Sequence, residues 1–130
     1  MTPRTILRIE GGATLAAALY GYYLLDGPWW LLAVLALAPD LSMLGYLVDE
    51  RIGSVVYNLG HTYTLPVALG AVGYGLDARI LLLGALVWAG HIGADRLVGY
   101  GLKLTSGFDE THLSHPTAER KPRDRVPKPR

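Results

Sequence analysis

The chain has 130 residues, 51% of them apolar and 18% charged, with a formal net charge of +1. A single small domain is expected, its core drawn from the long uncharged stretches that separate a few short charged interruptions. The absence of cysteine excludes disulfides, thiolate zinc sites and cysteine nucleophiles, and no base-reading module accompanies the basic residues, so nucleic acid is excluded as a partner.

Four uncharged or nearly uncharged stretches run about 6–25, 29–48, 52–76 and 78–102. Each is near the roughly 20 residues that a helix needs to cross about 30 Å of hydrocarbon. The expected fold is all-α: a four-helix transmembrane bundle over residues 1–115, then a disordered basic tail over 116–130. The first stretch follows Arg4 and Arg8 and carries Gly11, Gly12, Ala13, Ala16 and Ala17, a small-residue face that lets another backbone approach and offers a surface for a homodimer. It also holds Glu10 and is followed by further apolar stretches, which does not suit a cleaved signal peptide.

The turn "DGP" leads to Trp29 and Trp30 and into the second stretch, which contains Pro39 and Asp40. "VDERIG" separates this from the third, which contains Tyr57, Asn58 and His61; "LDAR" leads to the fourth, which contains His91, Asp95 and Arg96. The basic residues Arg4, Arg8 and Lys103 and those of the tail then place both termini in the cytoplasm, and Tyr20, Tyr22, Tyr23, Trp29, Trp30 and Tyr74 gather at the outer boundary. The expected location is the cell membrane, multi-pass, with membrane lipids as partners; the tail is drawn to anionic headgroups of the inner leaflet.

At a rise of about 1.5 Å per residue, Asp40, His61, His91 and Asp95 fall at a similar depth in the inner half of the membrane. His91 and Asp95 are four apart and share a helical face, whereas Arg96 is rotated by about 100°. Two imidazoles and two carboxylates suit a divalent metal ion such as zinc, manganese or iron. Tyr57 and Asn58 stand about one turn before His61, placed to orient its ring or to donate to a substrate oxygen. A plainer reading competes: Asp40 satisfies backbone groups loosened by a proline kink, and the histidines bridge helices by hydrogen bonds. Intramembrane acids cost a few kcal/mol at least, more than such stitching requires, which favours a functional site.

Glu10 and Arg96, with Asp49, Glu50 and Arg51, are expected to form a rim of ion pairs at the cytoplasmic mouth; Glu10 is also a candidate general base. His112 is a candidate lid ligand. The string "VGYG" is similar in letters to a potassium-channel filter, but it ends a spanning segment and reads as a coincidence; its glycines serve packing or helix termination.

"APDLSMLGY", "YNLGHTYTLP", "HIGADRLVGYGLK" and "GFDETHL" together resemble the bacterial integral-membrane family called domain of unknown function 4260, over nearly the whole chain except the tail. The resemblance implies a small four-helix membrane protein whose motif residues include Asp40, Asn58, His61, His91, Asp95, Arg96, Lys103 and His112. More loosely, an acid followed by histidines on successive helices is similar to membrane-bound metal-dependent hydrolases, and aromatic-x-x-x-His followed by His-x-x-x-Asp to intramembrane prenyl-protein proteases, whose paired glutamates this chain lacks. The functional expectation is a metal-dependent hydrolase-like membrane protein acting on a lipid-like amphiphile. Asp40, His61, His91 and Asp95 would hold the ion, and Asn58 or Arg96 would steady developing negative charge. The alternatives are a proton or cation relay in a small dimeric transporter or channel, and a non-catalytic membrane scaffold.

Overall fold

The computed structural model describes residues 1–102; the tail over 116–130 lies outside them. The described residues are helical, without strands. Helix α1 spans Pro3–Leu24. It begins where Thr2 accepts a hydrogen bond from the Thr5 amide at 3.2 Å and where Pro3, needing no amide partner, opens the first turn. It ends at a turn in which Asp26 adopts a positive φ of 52°. Arg79 donates to the carbonyls of Leu25 and Asp26 there, supplying partners to groups that a helix end leaves over.

The second apolar stretch is not one α-helix. Helix α2 covers Trp29–Leu37, and the chain then tightens into a 3-10 helix over Ala38–Leu47. Pro39 is the cause at hand, since it has no N–H to continue an α-helical ladder. The 3-10 helix packs on helix α3, Glu50–Gly60, whose first turn is capped by Asp49 accepting from the Ile52 amide at 2.7 Å. Gly53 makes that packing close: a Cβ there would sit 2.3 Å from the Tyr46 ring.

The third stretch, expected as one helix over about 52–76, is two. Helix α3 stops at Gly60, and helix α4 starts afresh at Thr64 and runs to Gly75. The fourth stretch forms helix α5, Arg79–Val98, shorter than the expected 78–102 because Gly99 takes the left-handed conformation, with φ 103°, and ends it. The Tyr100 amide closes back onto the Asp95 carbonyl at 2.7 Å.

Helix α5 is the hub. It packs against α1 on one side and α4 on another, and touches α2 and the 3-10 helix. Its contact with α1 is backbone on backbone: a Cβ on Gly11 would meet the Gly93 carbonyl at 2.7 Å, and one on Gly93 would meet the Gly11 carbonyl at 2.6 Å. The small-residue face expected on the first helix is thus used within the chain. Toward the opposite end, Tyr22, Leu83 and Val87 form an apolar core with Leu32 and Leu35 packed against it. The buried Tyr22 hydroxyl donates to the Pro28 carbonyl at 2.6 Å, so the ring is buried without leaving its polar end unsatisfied.

Two stretches, Trp29–Leu47 and Arg79–Val98, are long and apolar enough to cross a membrane. Of the other two expected crossings, α1 is long enough but carries Arg4, Arg8 and Glu10. Helices α3 and α4, with 11 and 12 residues, each reach only about 17 Å.

Candidate metal centre

Asp40, His61, His91 and Asp95 come together from the 3-10 helix, the end of α3 and the inner face of α5. One ligand atom from each lies within 4.8 Å of all the others. The atoms alternate around a ring. His61 Nε2 is 3.3 Å from Asp40 Oδ1 and 3.5 Å from Asp95 Oδ2. His91 Nε2 is 3.2 Å and 3.5 Å from the same two oxygens.

The two breaks in the helices build this ring. At the first, Ala36 would offer its carbonyl in a 3-10 ladder to residue 39, which is a proline without N–H. The His91 imidazole supplies the donor instead, from Nδ1. At the second, the Tyr57 carbonyl would pair in a continuing α-helix with the amide of residue 61. That amide turns to the Asn58 carbonyl at 3.2 Å, and the His61 ring takes its place, Nδ1 donating to Tyr57 at 2.9 Å. Each imidazole therefore replaces a backbone donor at a break, and each break is held by a histidine.

A carbonyl oxygen only accepts, so both Nδ1 atoms carry hydrogen, and in the neutral rings both Nε2 lone pairs face the carboxylates. Four acceptors then face one another. The His91 Nε2 atom is buried and makes no hydrogen bond, although Asp40 Oδ1 stands only 3.2 Å away. The nitrogen–oxygen separations of 3.2–3.5 Å exceed the roughly 2.7–2.9 Å of charge-assisted hydrogen bonds. These adjacent separations match the roughly 3–3.5 Å between ligands that each stand about 2.0–2.1 Å from one ion, while the widest separation, up to 4.8 Å, would have to close to about 4.2 Å around it. The donor set therefore fits a divalent cation. Nδ1–H groups tied to carbonyls are also the usual way a ligating histidine is oriented.

Access to the ring is one-sided. The side chain of His61 is 1% exposed and that of His91 12%, against 21% for Asp95 and 45% for Asp40. Tyr57 closes the buried side, its ring stacked on His61 at 3.8 Å between centroids and 10° between planes. Ser42 Oγ, which donates to the Pro39 carbonyl, stands 3.4 Å from His61 Nδ1.

Arg96 is placed differently from the expectation. Its guanidinium donates to the carbonyls of His61, at 3.0 Å, and Tyr100, at 3.1 Å, so it holds the break between α3 and α4 from behind. Trp88, one helical turn before His91, does the same for the neighbouring carbonyl, donating to Gly60 at 2.6 Å. Asn58 is half-buried on the last turn of α3. Glu10 lies outside the ring, exposed on α1. The rim of ion pairs is corrected: among the described residues Glu10 and Arg96 form no ion pair, nor do Glu50 and Arg51, and Asp49 serves as a helix cap. The physical reason is competition, since Arg96 is turned inward by the carbonyls of His61 and Tyr100. His112 and Lys103 lie outside the described residues.

Sequence reasoning missed Ala36, Ser42 and Trp88. For Ala36 the signal was Pro39 three residues later, which removes a donor; for Trp88 it was an indole one turn from His91. Ser42 carried no signal that sets it apart from other helix serines.

The family model described as domain of unknown function (DUF4260) matches residues 4–115, a range that includes all four ring residues. Neither a curated protein nor a solved structure matches the chain.

Proposed function

The chain belongs to the DUF4260 family, and we propose that it is an integral membrane protein in which Asp40, His61, His91 and Asp95 hold one divalent ion and hydrolyse a lipid-like amphiphile. The observation that carries this reading is the alternating ring of two nitrogens and two oxygens, with both Nδ1 atoms committed to backbone carbonyls. A divalent ion there would supply Lewis-acid charge and lower the pKa of a bound water toward neutrality.

The residues of the chain set up that chemistry. The imidazoles bind through Nε2, fixed in tautomer and direction by Tyr57 and Ala36. Asp40, the most exposed of the four, marks the side from which water and substrate arrive. Asn58 is assigned to steady negative charge on the substrate; Arg96, committed to two carbonyls, is a positioning residue. A groove of 260 Å³ between α1, α2 and α5 runs from Tyr22 past Leu19, Leu32 and Ala36 to His91. Its apolar walls and its end at a ligand histidine suit a hydrocarbon chain whose reactive head lies at the ring.

For the membrane placement, four crossings are inferred: α1, Trp29–Leu47, the pair α3 and α4 together, and α5, with both termini cytoplasmic. Support comes from the many large apolar side chains left exposed, among them Leu37, Leu41, Leu44, Val67 and Val72, which a water-facing surface does not favour. The broken third crossing fits as well, because non-helical backbone at membrane depth is tolerated where it is buried in protein, and His61 at the break is buried.

That same break favours a second reading, a proton or cation relay, since interrupted helices with acids and histidines line ion paths in transporters. Metal analysis of the purified full-length protein separates the two. Hydrolysis predicts about one zinc, manganese or iron per chain, lost in His91→Ala, together with release of a cleaved head or chain from a lipid extract. A metal-free preparation, with ion flux into liposomes that Asp40→Asn abolishes, would replace hydrolysis by the relay.

A further inference from the structure

A second pocket, of 420 Å³, is lined by Leu7, Glu10, Thr14, Tyr63 and Arg96 and by none of the four ring residues. Its polar groups are only partly used by the fold. Arg96 is only 9% exposed, yet no carboxylate lies within ion-pair distance of it among the described residues. Its bonds to His61 and Tyr100 take one hydrogen from each terminal nitrogen, out of five N–H donors. Glu10 lines the same pocket nearer its exposed edge and has no cationic partner among the described residues. The Tyr63 hydroxyl likewise makes no hydrogen bond among the described residues.

A buried positive charge at the back and a negative charge at the lip, both in one pocket and not neutralising each other, are complementary to a zwitterion with its anion leading. A simple anion would meet Arg96 but pass Glu10 at a cost; a simple cation would meet the reverse. The level is also informative. The pocket is built from the first half of α1 and the last turn of α5, and Arg8 on the same part of α1 ties to the Leu97 carbonyl at 2.8 Å. In the membrane placement proposed above, on which this inference rests, the pocket opens at Glu10 toward the cytoplasmic boundary, where headgroups sit, and deepens to Tyr63 and Arg96 beside the break between α3 and α4.

We propose that this pocket binds the headgroup of an aminophospholipid, with the phosphate against Arg96 and Tyr63 and the primary ammonium against Glu10. It shares Arg96 with the support of the metal centre, since Arg96 holds the ligand His61 through its backbone carbonyl, but it uses none of the four ring residues. The choice among membrane lipids follows from chemistry: an ammonium with three N–H donors can hydrogen-bond the Glu10 carboxylate, a quaternary amine cannot, and a glycerol headgroup leaves the carboxylate facing net negative charge.

The test uses the full-length protein in detergent, titrated with short-chain phosphatidylethanolamine, phosphatidylcholine and phosphatidylglycerol and followed by native mass spectrometry. Wild type is expected to prefer the ethanolamine lipid by roughly three- to fivefold, the range of a partly exposed ion pair. Glu10→Gln, a change at an exposed position, should erase the preference, and Tyr63→Phe should weaken all phosphate-bearing lipids alike. Phosphoethanolamine without acyl chains is expected to bind at least tenfold more weakly; equal binding would transfer the pocket to a soluble ligand and overturn the lipid assignment. Equal affinity of wild type for the three lipids, or an ethanolamine preference that survives in Glu10→Gln, overturns the proposal. Repeating the titration after chelation keeps its outcome apart from the fate of the metal reading.

Discussion

Replacing Gly93 by alanine adds one methyl group where α1 and α5 meet backbone to backbone. The new Cβ would stand 2.6 Å from the Gly11 carbonyl oxygen and 2.9 Å from the Leu15 amide, both backbone atoms that no rotamer change can move away. Ordinary van der Waals contact starts near 3.4 Å, so α1 must retreat by about 0.8 Å in a closely packed interface. Such overpacking costs about 1–3 kcal/mol, against a gain of about 1 kcal/mol from the better helix propensity of alanine. With backbone on both sides the upper half of the range applies, and the net loss is about 1–2 kcal/mol. Gly75→Ala is the matched control. Nothing lies within 4 Å of its added methyl, so only the propensity gain remains, about 0.5 kcal/mol stabilising near a helix end. Reversible unfolding of the full-length protein in mixed micelles reads both variants. Gly93 lies on the face of α5 opposite His91 and Asp95, so metal content should be retained in each. Equal stabilities of the two variants would refute the claim that α1 and α5 meet backbone to backbone.

Arg96→Met removes the donor to the His61 and Tyr100 carbonyls. It is expected to destabilise by about 2–4 kcal/mol, because a buried acceptor left without a partner costs about 1–3 kcal/mol, and to weaken metal binding by about tenfold, as loss of a group that orients a ligand does; a competition titration against a chelator measures the second effect. Metal at a hundred times its dissociation constant should stabilise wild type by about 2.7 kcal/mol and leave Asp95→Asn nearly unmoved, read as a thermal shift. The wild-type gain should shrink as pH falls, since protons compete with the ion for Nε2 and for the carboxylates.

How far the sequence reaches can be followed at single residues. His91 and Asp95 share a face because a helix turns about 100° per residue, and that is legible without coordinates. So is the end of the last helix in outline, since Gly99 accepts a left-handed φ at little cost. The inward turn of Arg96 is not legible. Its direction depends on a carbonyl freed 35 positions earlier in the chain, and the spacing of charges along one segment carries no information about that. Glu10 shows the same limit, sharing a pocket with Arg96 without pairing to it.

Composition and the lengths of the apolar runs determined that the chain is helical, because apolar patterning and turn residues act locally. Pro39 makes the break at Ala38 a local matter, but only the tertiary structure decided that a second run breaks at Gly60 and that both breaks hold the imidazoles. A carbonyl leaves its own helix when a donor from another helix reaches it. Ala36 with His91, and Gly60 with Trp88, become neighbours only once α5 packs into the centre of the bundle.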